Sequence, residues 1–71
     1  MPAMNSQEQL AVNIKKARKK ADLTQVEVAK RAKIHVNYYS RIERGEINPT
    51  FKVLEALAKA LGVKSSEILP F

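Results

Sequence analysis

The segment Gln25–Arg44, QVEVAKRAKIHVNYYSRIER, decides how this chain folds. It reads as two short helices joined by a tight turn. Val28, Ala29, Ala32, Ile34, Tyr39 and Ile42 are the apolar positions that lock the two helices together. Val36, Asn37, Ser40, Arg41 and Arg44 fall at i, i+1, i+4, i+5 and i+8, which a 3.6-residue period gathers into one outward polar stripe. A stripe free of core duty is available to a partner, and the charge of the chain says which kind.

The formal net charge is +6 over 71 residues, and it is unevenly placed. Residues 1–44 hold ten Lys and Arg against four acids, whereas residues 45–71 hold three against three. The net positive charge therefore lies with the two-helix unit. Such a face attracts phosphate polyanions by steering and by release of condensed counterions. A length of 71 residues predicts one domain with a small helical core, without room for a second effector-binding or catalytic domain. No apolar run reaches the length of a membrane span and MPAMNSQEQL lacks the pattern of a signal peptide, so a cytoplasmic protein is expected. Zero cysteines exclude disulfides and thiolate metal sites.

Working outward, a first helix is expected over about Glu8–Ala21, capped by Asn5 or Ser6, with residues 1–7 forming a flexible arm. Leu10, Ile14, Ala17 and Ala21 make its buried stripe, and Arg18 lies at the stripe's edge. Thr24-Gln25-Val26-Glu27 fits a capping box for a second helix over about Gln25–Ala32. Lys33, Ile34 and His35 form the turn. The next helix covers about Val36–Arg44, with Gly45 placed for a left-handed C-cap. Pro49 stops that helix from continuing, and Thr50 caps the next. Phe51, Leu54, Leu57, Ala58 and Leu61 then form an amphipathic stripe closed by Gly62, and Ser65, Ser66 and Glu67 start a last short helix.

These elements resemble the Cro/repressor-type helix-turn-helix family, also called the lambda-repressor-like or XRE family. The resemblance rests on Leu23-Thr24-Gln25, Val28-Ala29, Ser40-Arg41-Ile42-Glu43-Arg44-Gly45, Asn48-Pro49 and Leu57-Ala58-Lys59-Ala60-Leu61-Gly62-Val63, in this order, and covers Ile14–Leu69. It implies an all-α, five-helix domain whose second helix-turn-helix element enters the DNA major groove. Transferred to this chain, the base-reading candidates are Val36, Asn37 and Arg41, with Tyr38 and Ser40 at the margin. Arg41 suits guanine O6 and N7, Asn37 suits adenine N6 and N7, and Val36 offers a methyl surface to thymine. Phosphate contacts are expected from Thr24, Gln25, Arg44 and Lys52. His35 reads first as a cap and second as a phosphate donor. The resemblance also implies an ion pair between Arg18 and Glu43 that ties the first helix to the reading helix.

Two positions depart from the family pattern. Lys33 stands where glycine is common, so a left-handed backbone there carries a cost on the order of 1 kcal/mol. Tyr39 takes a core position usually held by a branched aliphatic residue, and one of Tyr38 and Tyr39 is expected buried with its hydroxyl at the surface. A domain of this size reads few base pairs, so a homodimer on a palindromic operator is expected, with Ile47, Val53, Leu69 and Phe71 as the interface candidates. The favoured function is a double-stranded DNA-binding transcription regulator, acting mainly by repression. The alternative is an antitoxin-type protein-interaction module whose DNA binding is autoregulatory. One histidine, no cysteine and no clustered carboxylates or glycine-rich phosphate loop argue against an enzyme. No metal, cofactor or small-molecule effector is expected.

Overall fold

Helix starts in this chain are written into the local sequence, because a side chain that accepts a hydrogen bond stands before each of the first four. In the computed structural model, which describes residues 4–71, these are α1 (Ser6–Lys20), α2 (Gln25–Ala32), α3 (Val36–Glu43) and α4 (Phe51–Leu61), followed by the one-turn α5 (Ser65–Ile68). Asn5, Thr24, His35 and Thr50 are the caps. Asn5 with Glu8 and Thr24 with Glu27 form reciprocal capping boxes, which satisfy two otherwise orphaned amides at each start. At α5 the Glu67 carboxylate accepts from the Lys64 amide at 2.7 Å.

The helix ends share one device. Each of α1 to α4 is followed by a residue with positive φ: Asp22 (59°), Lys33 (60°), Gly45 (73°) and Gly62 (71°). The amide after each folds back to a carbonyl five residues earlier: Leu23 to Arg18, Ile34 to Ala29, Glu46 to Arg41 and Val63 to Ala58. This is the Schellman arrangement, and it brings Leu23, Ile34 and Val63 back against the core. Lys33 thus adopts the left-handed conformation that its position implied, and Asp22 does so as well. Neither has the freedom of glycine, so both store a small cost within the fold.

Tyr39, Ile14, Ile42, Leu57, Ile68 and Val28 form the fully buried centre. Around it α2 packs on α3 and α4, while α1 reaches α3 and α5. Ala29 is 2% exposed, and its single methyl allows α2 to lie close to its neighbours. Asn13 of α1 donates to the carbonyl of Ile68 at 3.1 Å, which ties α5 down. Among the described residues, no helix is long and apolar enough to cross a membrane.

Several local expectations need correction. Helix α1 starts at Ser6, so Ser6 and Gln7 are not part of an arm, and residues 1–3 of that arm lie outside the described residues. Ala21 follows the end of α1 and is exposed. Phe51 is 76% exposed, because it begins α4, where helical side chains lean back past the helix start and no other element covers it. Tyr39 buries its hydroxyl as well as its ring.

Candidate nucleic-acid interface

Helix α3 is held by a polar cluster inside the protein. Glu43 is among the buried residues, one turn after Tyr39 on the inner face of α3. Its carboxylate accepts from Arg18 Nε at 2.6 Å and Nη2 at 3.1 Å, from Gln25 Nε2 at 3.1 Å and from the Tyr39 hydroxyl. Arg18 also donates to the Leu23 carbonyl at 3.0 Å. The predicted Arg18–Glu43 pair is thus present and two-pronged. Burial alone pushes the Glu43 carboxyl up, but hydrogen bonds from Arg18, Tyr39 and Gln25 outweigh it and hold the group below the usual carboxylate range. Burial and the bond to Glu43 push the Tyr39 hydroxyl up, so it remains a donor.

Gln25 extends this cluster. Its amide oxygen accepts from Ser40 Oγ at 2.9 Å while its nitrogen serves Glu43, so one side chain links the start of α2 to two turns of α3. The side chains of Gln25 and Ser40 are therefore already engaged within the protein, whereas at the start of α2 the Gln25 backbone amide keeps its place among the first-turn donors. Sequence reading missed the joint role of Gln25, Ser40 and Tyr39. The available signal was the four-residue step from Tyr39 to Glu43, which puts an aromatic hydroxyl beside an acid on the same helix face.

The outer side of α3 is different. Asn37, Arg41 and Arg44 are exposed at successive steps of four and three residues, while Val36 and Tyr38 are half-buried and packed against the core. His35 caps α3 through Nδ1, which accepts from the Asn37 amide at 3.0 Å. Nδ1 is thus engaged within the protein, which leaves Nε2 as the ring nitrogen that an outside partner could meet. Thr24 and Lys52 are also exposed, at the starts of α2 and α4. The Thr24 hydroxyl accepts from the Glu27 amide at 3.1 Å. The arrangement presents hydrogen-bonding and cationic groups from one short, rigidly held helix, flanked by further donors.

A pair of short helices with a three-residue turn, α3 locked at a defined angle and its outer edge polar, is the geometry of a helix-turn-helix reader. The helix-turn-helix family profile matches residues 14–68 of this chain. The chain belongs to the Cro/repressor-type helix-turn-helix family. It is 45% identical over 56 residues to the immunity repressor protein of Bacillus phage phi105, covering 79% of this chain and 39% of the phage protein. The chain thus spans less than half the length of that repressor. An HTH-type transcriptional regulator of Sinorhizobium fredii, y4dJ, is 38% identical, covering 93% of this chain and 86% of its own. The restriction-modification controller protein C.Esp1396I superposes with a TM-score of 0.82 at 32% identity, covering 87% of this chain and 82% of its own. The controller protein C.AhdI from Aeromonas hydrophila shares the fold at TM-score 0.86 and 22% identity, over 89% of this chain and 96% of that one.

The four interface candidates separate in the structure. Ile47 and Val53 are half-buried and pack against the core. Leu69 and Phe71 instead line an apolar groove of about 310 Å³ with Leu10, Pro49, Phe51, Leu54 and Pro70. Phe71 is 94% exposed, so it does not close the core.

Proposed function

We propose that this chain represses transcription by occupying a palindromic operator as a homodimer, with α3 of each copy in the major groove. The coarse function follows from the family: this is a DNA-binding transcriptional regulator. The observation that carries the finer reading is the exposed Asn37–Arg41 edge on a helix whose angle is held by Glu43. In this reading Arg41 and Asn37 specify bases, with Val36, Tyr38 and Ser40 beside them. Thr24, Gln25 through its backbone amide, His35, Arg44 and Lys52 hold phosphates. Phosphate contacts set register and orientation, whereas each paired base contact contributes roughly 1–3 kcal/mol of discrimination.

Support for a dimer comes from the groove edged by Phe51 and Phe71, since two large apolar side chains so exposed on a small domain mark an association surface. A twofold pair would place two copies of α3 on half-sites about one helical turn apart. No effector or cofactor enters this scheme, and the protein would work in the cytoplasm at the nucleoid. Selection of bound duplexes from a random pool tests it. The expected product is a palindromic site whose preference changes with Arg41→Ala; an unchanged selected sequence for that variant would remove α3 from the reading role.

A further inference from the structure

One acid stands inside the polar edge of α3. The Schellman turn at Gly45 has the Gly45 amide donating to the Ile42 carbonyl at 3.1 Å and the Glu46 amide to the Arg41 carbonyl at 3.0 Å. Gly45 needs its φ of 73° for this turn, although a methyl there would meet its nearest neighbours, Ala11 and Glu8, only at ordinary contact distance. The reversal lays the Glu46 carboxylate against both outward arginines. Oε1 lies 3.5 Å from Arg41 Nε, and Oε2 lies 2.5 Å from Arg44 Nε. Among the described residues, both solvent-exposed ion pairs are centred on Glu46.

The atoms matter as much as the charges. Arg44 Nε donates to the Glu46 carboxylate, while Arg41 Nε faces the same carboxylate at the looser distance of an ion pair, so the Nε edge of each guanidinium is the edge turned toward the acid. A guanidinium can approach guanine end-on, through both terminal nitrogens, or side-on, through Nε and one of them. A carboxylate beside Nε disfavours the side-on approach and narrows the swing of a long, flexible side chain. Ordering the arginine before binding lowers the entropy lost at contact. The same carboxylate repels DNA phosphates and neutralises part of the positive edge, which weakens attachment to any sequence. An acid at this place therefore works against affinity and in favour of selectivity.

We infer that Glu46 is a positioning residue for base discrimination: its charge draws the Nε edge of Arg41 toward itself, which favours the end-on orientation, and restrains the phosphate affinity of Arg44. The inference rests on the reading of α3 as the recognition helix. It applies to a residue outside the helix-turn-helix itself, delivered to the site by the backbone reversal.

The test compares wild type, Glu46→Gln, Arg41→Ala and the double variant. Binding is measured to the selected site, to that site with the Arg41-dependent base pair exchanged, and to a random duplex, over a salt series. Glu46 is exposed, so Glu46→Gln should leave the thermal midpoint unchanged and report on binding alone. The expected result for Glu46→Gln is tighter binding to the random duplex, with a salt dependence steeper by up to about 0.9, the contribution of one phosphate contact. Discrimination at the Arg41-dependent base pair should fall on the order of fivefold, part of what a paired base contact supplies. The fall should vanish in the Arg41→Ala background. If Arg41→Ala abolishes discrimination but Glu46→Gln leaves it intact, the positioning role is overturned and the reading of α3 stands. A loss of equal size in both backgrounds also overturns it, because Glu46 would then act elsewhere. Should Arg41→Ala leave discrimination unchanged, the α3 assignment and this inference fall together.

Discussion

Replacing Arg18 by methionine keeps a stem of similar length and removes the guanidinium, leaving the buried Glu43 carboxylate without its cation. Breaking a buried pair from one side costs about 3–5 kcal/mol, because the remaining charge is desolvated and uncompensated. Glu43 would keep donors from Gln25 and Tyr39, and the Arg18 side chain is 14% exposed, so some water reaches the site. These factors put Arg18→Met at the lower end, about 3 kcal/mol, which for a domain of this size lowers Tm by roughly 12–24 °C. Glu43→Leu alone should cost about 1–3 kcal/mol: the long Arg18 side chain can turn its head to water, but the buried Tyr39 hydroxyl loses its acceptor. In the double variant the cost of the unpaired carboxylate is recovered while that of the Tyr39 hydroxyl remains, giving a coupling of at least about 2 kcal/mol. Thermal and urea unfolding followed by circular dichroism measure all three. A coupling below about 0.5 kcal/mol, the ordinary error of additivity, would refute the assigned role of the pair. The pH dependence follows from the same cluster. Glu43 is held below its unfolded value, so its contribution is present above the unfolded carboxylate range and is lost as pH falls through the folded value. Glu43→Gln should therefore flatten the acid limb of the stability profile.

Other substitutions probe separate parts of the argument. Lys33→Gly relieves a left-handed residue at a cost of about 1–2 kcal/mol but adds unfolded-chain entropy of about 0.5–1 kcal/mol, so a net gain of roughly 0.5–1 kcal/mol in urea unfolding is expected. Ala29→Leu forces a large side chain into a site 2% exposed; it should destabilise by about 1–3 kcal/mol or more and reduce binding to every duplex by tilting α3. Lys52→Ala should weaken binding on all sequences alike, with the salt dependence reduced by about 0.9 if one phosphate contact is lost. Joint replacement of Phe51 and Phe71 by serine should leave Tm within a few degrees, as both are exposed, while sedimentation shows a shift from dimer toward monomer. A dimer that survives both changes would move the association surface elsewhere.

Much of this domain was legible along the chain. Asn5, Thr24, Thr50, Gly45 and Gly62 announce helix ends because capping is a local event, decided within four or five residues. The pattern of Val28, Ala29, Ala32, Tyr39 and Ile42 gave the inner faces of α2 and α3, since helical periodicity maps directly onto burial. Of the stripe that the same period predicted, Asn37, Arg41 and Arg44 face outward, whereas Val36 packs against the core and Ser40 is half-buried and bonded to Gln25. At Lys33 the resemblance supplied only a position where glycine is common, and the left-handed backbone there came from the structure.

What the chain could not state alone was how side chains from distant positions meet. Periodicity put Phe51 on the α4 stripe, but only the packing of the helices reveals that no element covers the first turn there. Ile47 and Val53 are half-buried against the core, while Leu69 and Phe71 line a groove that Phe51 also edges, a neighbourhood the spacing along the chain did not indicate. Gln25 and Ser40 appeared as separate contacts for DNA; across the helix pair they bond to each other, and Gln25 also reaches Glu43. Tyr39 was foreseen in the core, but its buried hydroxyl required Glu43 to be desolvated beside it, a consequence of α1 folding over α3 with Arg18. Glu46 read as one more surface acid until the turn at Gly45 returned it to Arg41 and Arg44. Local sequence determined helices, caps and inner faces because their energies depend on near neighbours. Tertiary structure decided the polar cluster, the exposed groove and the partners of the arginines, because those energies depend on groups brought together only when the helices pack.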